Sequence, residues 1–206
     1  MINAEHGEKL TVITLNRQDK ANALTGKMLD SLCEAFDEAA ASQCRAVILT
    51  GAGGVFSAGA DLDEARDGLT RSERWERLSS RIATMPCLTI AALNGTLAGG
   101  AFGMALACDL RIAVPEAKFF YPVMRLGYLP QPSDPRRMHA LIGPARSKAL
   151  LMGGMKITAE TALGWGLIDQ IAAPGGLMEA ARDLASDAQS ASPEHVMAIK
   201  GLITGA

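Results

Sequence analysis

Two stretches of the chain combine an apolar, strand-like run with a glycine-rich turn that leads into a helix-like segment. They are AVILTGAGGVFSAGADL at residues 46–62 and AALNGTLAGGAFGMALACD at residues 91–109. Glycines let backbone N–H groups approach an incoming group with no side chain in the way. If two such turns converged on one oxygen, they would form an oxyanion hole, which holds donors where negative charge develops in a transition state. The sequence therefore predicts a site for a reaction that passes through an oxyanion.

The commoner glycine-rich motifs fit these turns less well. A dinucleotide-binding turn requires G-x-G-x-x-G, but Phe56 stands where the third glycine should follow Gly51 and Gly53. No glycine is followed by Lys-Ser or Lys-Thr at the spacing of a phosphate loop. A nucleophile elbow around Ser57 would have Val55 in place of its first glycine. For the glycines taken alone, tight turns and close helix packing remain the alternative interpretation.

Three separated blocks of the chain resemble the crotonase family, also called the enoyl-CoA hydratase/isomerase family. They are ITLNRQDKANAL at 13–24, FSAGADL at 56–62, and an N-G-x-x-x-G-G pattern that ends in Cys-Asp within 93–109. Weaker matches follow at 119–127 and 162–169, so the likeness covers about residues 10–200. The resemblance implies an α/β fold of crotonase type, a spiral of strand–strand–helix (ββα) units followed by a helical C-terminal region. It also implies a homotrimer or a dimer of trimers.

The resemblance further implies that the chain binds an acyl-CoA thioester and stabilises its enolate. The oxyanion donors would be the backbone N–H groups of Ala60 and Gly100, in the turns that contain Gly59 and Gly99. The residues expected to contact coenzyme A or the rest of the substrate, besides these glycines, are Arg17, Lys20, Ala21, Ala23, Asp61, Leu62 and Val123. Arg17 and Lys20 are candidates for the phosphates, although a solvated loop explains their charges equally well. Coenzyme A enters as part of the substrate, and no other cofactor is expected.

The chain departs from the family at the two glutamates that carry out acid–base chemistry. Gly103 and Val123 stand at the positions that the family pattern assigns to them. Because each such group typically contributes about 10²- to 10⁴-fold, ordinary hydration is not expected. The candidates for replacement are Tyr121, Tyr128, Asp134 and Glu64. For each of these residues, a packing or surface role is the simpler interpretation.

Two classes of function are therefore predicted. The first is a lyase or isomerase of the crotonase superfamily, in which an unusual residue transfers the proton or no transfer is needed, as in decarboxylation or thioester cleavage. The alternative is a non-catalytic acyl-CoA-binding or regulatory subunit. A nucleotide-dependent dehydrogenase is a distant third possibility. The sequence retains the glycines of the turns without the acids, which fits either of the first two classes.

The acyl group itself is not defined by the sequence. A hydrophobic pocket and an ordinary core are both consistent with the apolar residues Leu97, Phe102, Val123 and Leu126. The missing side chain at Gly103 predicts room for a bulkier substrate. Family members usually continue some tens of residues beyond the position of Ala206, so we expect either a truncated chain or a more open site.

Composition limits the remaining possibilities. A chain of 206 residues, 49% hydrophobic and 20% charged, is long enough for a sizeable core. We predict effectively one domain, with the spiral core at 1–140 and the helical region at 141–206. The net charge of −2 and the lack of a dominant basic cluster argue against nucleic acid as a partner. The polar first residues and the lack of long apolar runs predict neither a secretion signal nor a membrane span, which favours a cytoplasmic protein.

Cysteine and histidine spacing gives no sign of a metal site. The four cysteines lie in apolar contexts without C-x-x-C spacing, at Cys33, Cys44, Cys87 and Cys108. They are predicted to be buried, reduced thiols. The three histidines are far apart in the sequence. No metal is assigned.

Hydrophobic periodicity predicts that strands and helices alternate in the first part of the chain and that helices dominate the rest. The predicted strands are 10–15, 46–49, 88–92 and 110–114, and the helices between them are 26–41, 72–83 and 99–107. The later predicted helices are 135–141, 145–151, 158–163, 177–186 and 193–202. Strands are expected to stop near residue 118, apart from a short piece at 168–171. This order of elements indicates an α/β fold with a helical tail.

Overall fold

The strands of the computed structural model, which describes residues 1–205, fall into two sheets. They are β1 (Ile2–His6), β2 (Leu10–Leu15), β3 (Ala46–Gly51), β4 (Val55–Ser57), β5 (Leu88–Leu93), β6 (Thr96–Ala98), β7 (Leu110–Ala113), β8 (Lys118–Phe120), β9 (Lys156–Thr158) and β10 (Gln170–Ile171). The helices are α1 (Gly26–Ala41), α2 (Leu62–Arg66), α3 (Arg74–Ala83), α4 (Phe102–Ala107), α5 (Val123–Leu126), α6 (Asp134–Leu151), α7 (Ala159–Trp165), α8 (Leu177–Leu184), α9 (Ser186–Ser190) and α10 (Pro193–Thr204). None of these helices within residues 1–205 is both long enough and apolar enough to cross a membrane.

The chain advances by repeating one path through the two sheets. The larger sheet has the order β1-β2-β3-β5-β7-β10 and the smaller one β4-β6-β8-β9. Each long strand β3, β5 and β7 is followed by a short strand, and these short strands, β4, β6 and β8, pair side by side in parallel. A helix then returns the chain to the larger sheet. The predicted α/β fold, a spiral of ββα units, is confirmed.

Both faces of the larger sheet are covered, which explains why its strands read as nearly continuous apolar runs. On one face, side chains such as Ile13 and Leu49 are fully buried with Phe36 of α1. On the other face, Ile48 and its neighbours pack against α8. Successive side chains of a strand point to opposite faces of the sheet. Alternate residues of these strands therefore pack into two separate hydrophobic clusters.

The sequence missed the short strands. β1, β4, β6, β8 and β9 were not predicted, and the expectation that strands stop near residue 118, apart from 168–171, is wrong. β8 extends to Phe120, and β9 adds an antiparallel edge strand at Lys156–Thr158. Four of these strands, β4, β6, β8 and β9, have three residues each, too few to show a period of two, so tertiary pairing decides them. β1 is longer, but four of its five residues are exposed, so it has no buried apolar pattern. The later strand piece is limited to Gln170–Ile171.

The later helices differ from the prediction mainly at their ends. The predicted helices at 135–141 and 145–151 meet in α6 at Gly143, which interrupts the helix with φ 76° and ψ 172°. The predicted helix at 177–186 ends earlier and is followed by the short α9. Helix α6 crosses the proposed boundary at residue 140, while β9 and β10 join the two sheets. The division at residue 140 stays a prediction.

The four cysteines are buried and free, as predicted. The Sγ atoms of Cys44 and Cys87 approach each other to 3.8 Å in the core. Burial raises the pKa of Cys108 to about 12. This thiol is therefore kept in its protonated, unreactive form at neutral pH.

Candidate active site

Three chain segments leave the smaller sheet at the same edge and line one cavity. Strand β4 leads into residues 58–60, β6 leads into Gly99 and Gly100, and β8 leads into residues 121–123. Because these strands are parallel neighbours, their carboxyl ends lie side by side. The cavity between the three segments has a volume of about 210 Å³. The sheet thus brings together residues that are distant in the sequence.

The two turns predicted to form an oxyanion hole contact each other. A Cβ atom built on Gly59 would lie 2.9 Å from the carbonyl oxygen of Ala98 and 3.4 Å from the backbone nitrogen of Gly100. Gly59 also has φ 95°, a backbone conformation that side chains disfavour. Only glycine therefore fits at this crossing of the two turns.

Ala60 and Gly100, whose N–H groups are the predicted oxyanion donors, both border the cavity. Both residues are half-buried and line it. Neither backbone nitrogen donates any of the hydrogen bonds that turns, loops, caps and side chains form within residues 1–205. A backbone N–H group that borders a cavity and donates to no such partner is free to donate to a ligand there.

The segment at residues 21–24 pairs with the first of these turns. Ala58 N–H donates to the Ala21 carbonyl at 3.0 Å, and Leu24 N–H donates to the Gly59 carbonyl at 2.7 Å. Asp61 N–H donates back to the Leu24 carbonyl at 2.9 Å. Ala21, Ala23 and Asp61, which were predicted to contact coenzyme A, are therefore brought together beside the turn.

Asn22 fixes this segment and was missed by the sequence analysis. It is fully buried, and its Nδ2 donates to the carbonyl oxygens of Ala52 and Val55 at 3.0 and 2.7 Å. Its Oδ1 accepts from the backbone N–H of Arg17 at 2.8 Å. Asn22 has φ 52°, in the left-handed region of backbone conformation that asparagine tolerates better than most residues. An asparagine in this loop is therefore the feature of the sequence that could have indicated its role.

Arg17 and Lys20 have different environments. Arg17 Nη1 lies 2.7 Å from Asp61 Oδ2 and 3.0 Å from the Ala23 carbonyl oxygen. The hydrogen bond from Arg17 is the main cause that lowers the pKa of Asp61. Lys20 is exposed and forms no ion pair within the described part of the chain. Arg17 thus holds the segment in place, while the charge of Lys20 is available to a ligand.

Apolar side chains form the wall and the rim of the cavity. Trp75 lies in the wall, where its ring would be 3.2 Å from a Cβ atom on Gly100, and its Nε1 donates to the Leu69 carbonyl at 2.8 Å. The sequence analysis had not singled out Trp75. Three leucines at the rim are exposed by 54 to 87%: Leu62, Leu126 and Leu129. Val123, which the family resemblance assigns to substrate contact, also lines the cavity.

The remaining apolar candidates have other roles. Leu97 and Phe102 are buried in the core and do not line this cavity, so the core interpretation holds for them.

Two of the candidates for acid–base chemistry have different surroundings. Glu64 accepts a hydrogen bond from the Gly26 N–H at 2.7 Å, at the start of α1. Tyr128 is half-buried and lines the cavity.

The space at Gly103 is already filled. A Cβ atom on Gly103 would lie 3.1 Å from Oδ1 of Asp134. The expectation that Gly103 leaves room for a bulkier substrate is therefore wrong, because the Asp134 carboxyl occupies that volume. Asp134 is fully buried, and its Oδ2 accepts a hydrogen bond from the Tyr121 hydroxyl at 2.8 Å. Burial raises the pKa of Asp134 to about 7.

The raised pKa of Asp134 predicts a pH-dependent stability. Between the ordinary carboxyl value of 3.8 and about 7, the folded state keeps the proton and the unfolded state releases it. The free energy of unfolding should therefore fall as pH rises from about 4 to 7, by up to a few kcal/mol. Urea unfolding of the wild type and of Asp134→Asn measures this slope. A slope that survives unchanged in Asp134→Asn would exclude Asp134 as its source.

Comparison with known proteins gives one consistent family. The sequence matches the family model for enoyl-CoA hydratase/isomerase over residues 5–204. It is 33% identical to a probable enoyl-CoA hydratase of Mycobacterium tuberculosis, over 83% of this chain and 70% of that protein. It is 34% identical to the short-chain-enoyl-CoA hydratase of Clostridium acetobutylicum, over 95% and 77%. The crystal structure of an enoyl-CoA hydratase from Bacillus anthracis superimposes with a TM-score of 0.90 at 32% identity, over 98% and 82%.

Proposed function

Because the chain belongs to the enoyl-CoA hydratase/isomerase family, we propose that it is an enzyme that binds an acyl-CoA thioester and stabilises its enolate. The observation that carries this proposal is the pair of unpaired N–H groups of Ala60 and Gly100 at one cavity. These donors would bind the thioester oxygen as it takes on negative charge. One donor of this kind contributes about 3 to 4 kcal/mol to lowering a barrier.

The surroundings of the two donors suit the remainder of an acyl-CoA. Val123, Leu126 and the Trp75 ring offer an apolar surface for an acyl chain. The segment at residues 21–24 lies beside the Gly59 turn, where the coenzyme A end would run. Lys20 supplies an exposed positive charge on that side, which suits a phosphate.

The reaction is proposed to differ from ordinary hydration. Hydration of a 2-enoyl thioester needs one group to activate water and another to protonate the α-carbon. Gly103 and Val123 have no group that can do either. The chain is therefore proposed to be a lyase or isomerase whose proton transfer uses another residue. The alternative is a non-catalytic acyl-CoA-binding protein, which would keep the donors for binding alone.

Turnover of a mixed acyl-CoA panel separates these two functions. The panel contains 2-enoyl, 3-enoyl, 3-hydroxyacyl, malonyl-type and aromatic thioesters, and mass spectrometry follows each of them. We expect one thioester to be consumed, and its mass change identifies the reaction. Acyl-CoA binding without consumption of any thioester would favour the binding protein. Failure to bind any member of the panel would contradict the proposal.

A homotrimer or a dimer of trimers is proposed for the assembly. Helix α10 supports an intersubunit role because Met197, Ile199, Leu202 and Ile203 on it are all exposed by 48 to 87%. Such large apolar side chains are usually covered when they cluster. Light scattering after size-exclusion chromatography should give three or six times the monomer mass. A monomer at micromolar concentration would contradict this proposal.

A further inference from the structure

Tyr121 lies between the cavity and a buried carboxyl group, the side chain of Asp134. Tyr121 lines the cavity, and its hydroxyl donates to Asp134 Oδ2 at 2.8 Å. The ring is held by stacking on Phe102, with centroids 5.3 Å apart and planes 18° from parallel. The Tyr121 hydroxyl also accepts a hydrogen bond from the Gln131 N–H at 3.4 Å, so the phenol is fixed in orientation beside the cavity with an acid bonded to it.

No cation within residues 1–205 forms an ion pair with the Asp134 carboxyl. Its Oδ1 is buried and has no hydrogen-bond partner within residues 1–205. The charged groups that face it are Arg137 and Glu76, which act on the pKa in opposite directions. Arg137 donates instead to the hydroxyls of Ser79 and Ser133. An unpaired carboxyl in the interior is costly, and such groups concentrate at functional sites.

The Asp134 carboxyl also lies beside Gly103, the position at which the family pattern would provide a glutamate side chain. Its Oδ1 lies 3.1 Å from where the Cβ of residue 103 would be, so the carboxyl reaches the same region from α6 instead of α4. Val123 leaves the other position without an acid. Tyr121 and Asp134 therefore provide proton-carrying groups near this cavity from chain positions other than 103 and 123.

We propose that Tyr121 is the catalytic proton-transfer residue of this cavity and that Asp134 is the positioning residue that exchanges its proton with Tyr121. The proposal rests on the proposed function, because it requires an enolate held by the two N–H groups. In the forward step, the Tyr121 O–H bond breaks and a C–H bond forms at the α-carbon, while the enolate oxygen returns to a carbonyl. The Tyr121 oxygen takes the proton of Asp134, which ends as a carboxylate.

The reverse step predicts exchange of α-protons with solvent. The Asp134 carboxylate accepts the Tyr121 proton while the Tyr121 oxygen takes an α-proton. The bound protons exchange with heavy water, and a deuteron then returns to the α-carbon by the forward step. The probe is butyryl-CoA in D₂O, with mass spectrometry to follow deuterium uptake. We expect exchange to fall by about 10²-fold in both Tyr121→Phe and Asp134→Asn. The exposed Asp187→Asn serves as the matched control and should exchange like the wild type.

The pH profile separates proton transfer from a structural role for Asp134. Because the carboxylate starts the exchange, the wild-type rate should rise with pH and level off above about 7, where the pKa of Asp134 lies. Asp134→Asn should lose this inflection. Unchanged exchange rates in Tyr121→Phe or Asp134→Asn, or the same inflection in Asp134→Asn, would overturn the proposal.

A second probe distinguishes failure of this proposal from failure of the proposed function. A 3-ketoacyl-CoA loses its α-proton to solvent without help, and its enolate absorbs in the near ultraviolet. Wild type, Tyr121→Phe and Asp134→Asn should all increase the enolate band, because the N–H groups of Ala60 and Gly100 remain. If the band increases but wild-type butyryl-CoA does not exchange, only the role of Tyr121 and Asp134 is wrong. If the wild type neither increases the enolate band nor exchanges the protons of butyryl-CoA, the enolate-binding function is wrong and this inference is wrong with it.

Discussion

A Gly100→Pro variant is expected to turn over its thioester about 10²- to 10³-fold more slowly than the wild type, with kcat reduced more than substrate affinity. Proline has no backbone N–H, so the substitution removes one of the two donors at the cavity. The donor acts mainly when negative charge has developed on the oxygen, which is why the loss should appear in kcat. Steady-state kinetics on the thioester that the panel identifies measures the effect.

Gly100→Ala is the matched control for this prediction. A Cβ atom at residue 100 lies 3.2 Å from the Trp75 ring, so alanine and proline both press on the same side chain. Alanine keeps the N–H group. We expect Gly100→Ala to retain most of the activity, and the difference between the two variants isolates the hydrogen bond. Equal losses in both variants would mean that crowding against Trp75, and not the missing donor, lowers the rate.

Gly59→Ala is expected to lose both stability and activity. The new Cβ would lie 2.9 Å from the Ala98 carbonyl oxygen, and φ is 95° at this residue. Strain of this kind costs about 1 to 3 kcal/mol. The Ala98–Gly100 backbone would also move, and a displacement of about 1 Å at a catalytic donor can cost about 10²-fold in rate. Chemical unfolding and kcat/KM on the same preparation measure the two effects.

The control for this second prediction is Gly54→Ala in the loop before β4. No atom lies within 4 Å of a Cβ atom there, and Gly54 is not among the residues with positive φ. Its unfolding free energy should stay within about 0.5 kcal/mol of the wild type. If Gly59→Ala behaved like Gly54→Ala, the contact between the two turns would not be needed to position the donors.

The sequence predicted the long strands because they are buried along almost their whole length. The strands at residues 10–15 and 46–51 are covered on both faces, and the apolar runs that result are visible without a structure. The short strands β4, β6 and β8 carry no such pattern, since three residues cannot show a period. Their pairing depends on the neighbouring repeat of the spiral, which lies tens of residues away in the chain.

The sequence also identified the glycine turns but not everything that surrounds them. Gly59 and Gly100 stand in recognisable motifs, and the structure brings their backbones into contact. Trp75 reaches the cavity from α3 in an amphipathic helix where an ordinary core role was the natural interpretation. The meeting of Asp134 with Tyr121 depends on how α6 packs on α4, and that contact has no signature in residue spacing.

The most direct test of the account is the infrared spectrum of the thioester carbonyl of bound butyryl-CoA, isolated by ¹³C labelling of that carbon. Hydrogen bonds from Ala60 and Gly100 should polarise the carbonyl and lower its stretching frequency relative to free butyryl-CoA. In Gly100→Pro the shift should be smaller, while butyryl-CoA still binds. If butyryl-CoA binds to the wild type with an unshifted carbonyl frequency, the two N–H groups do not form an oxyanion hole.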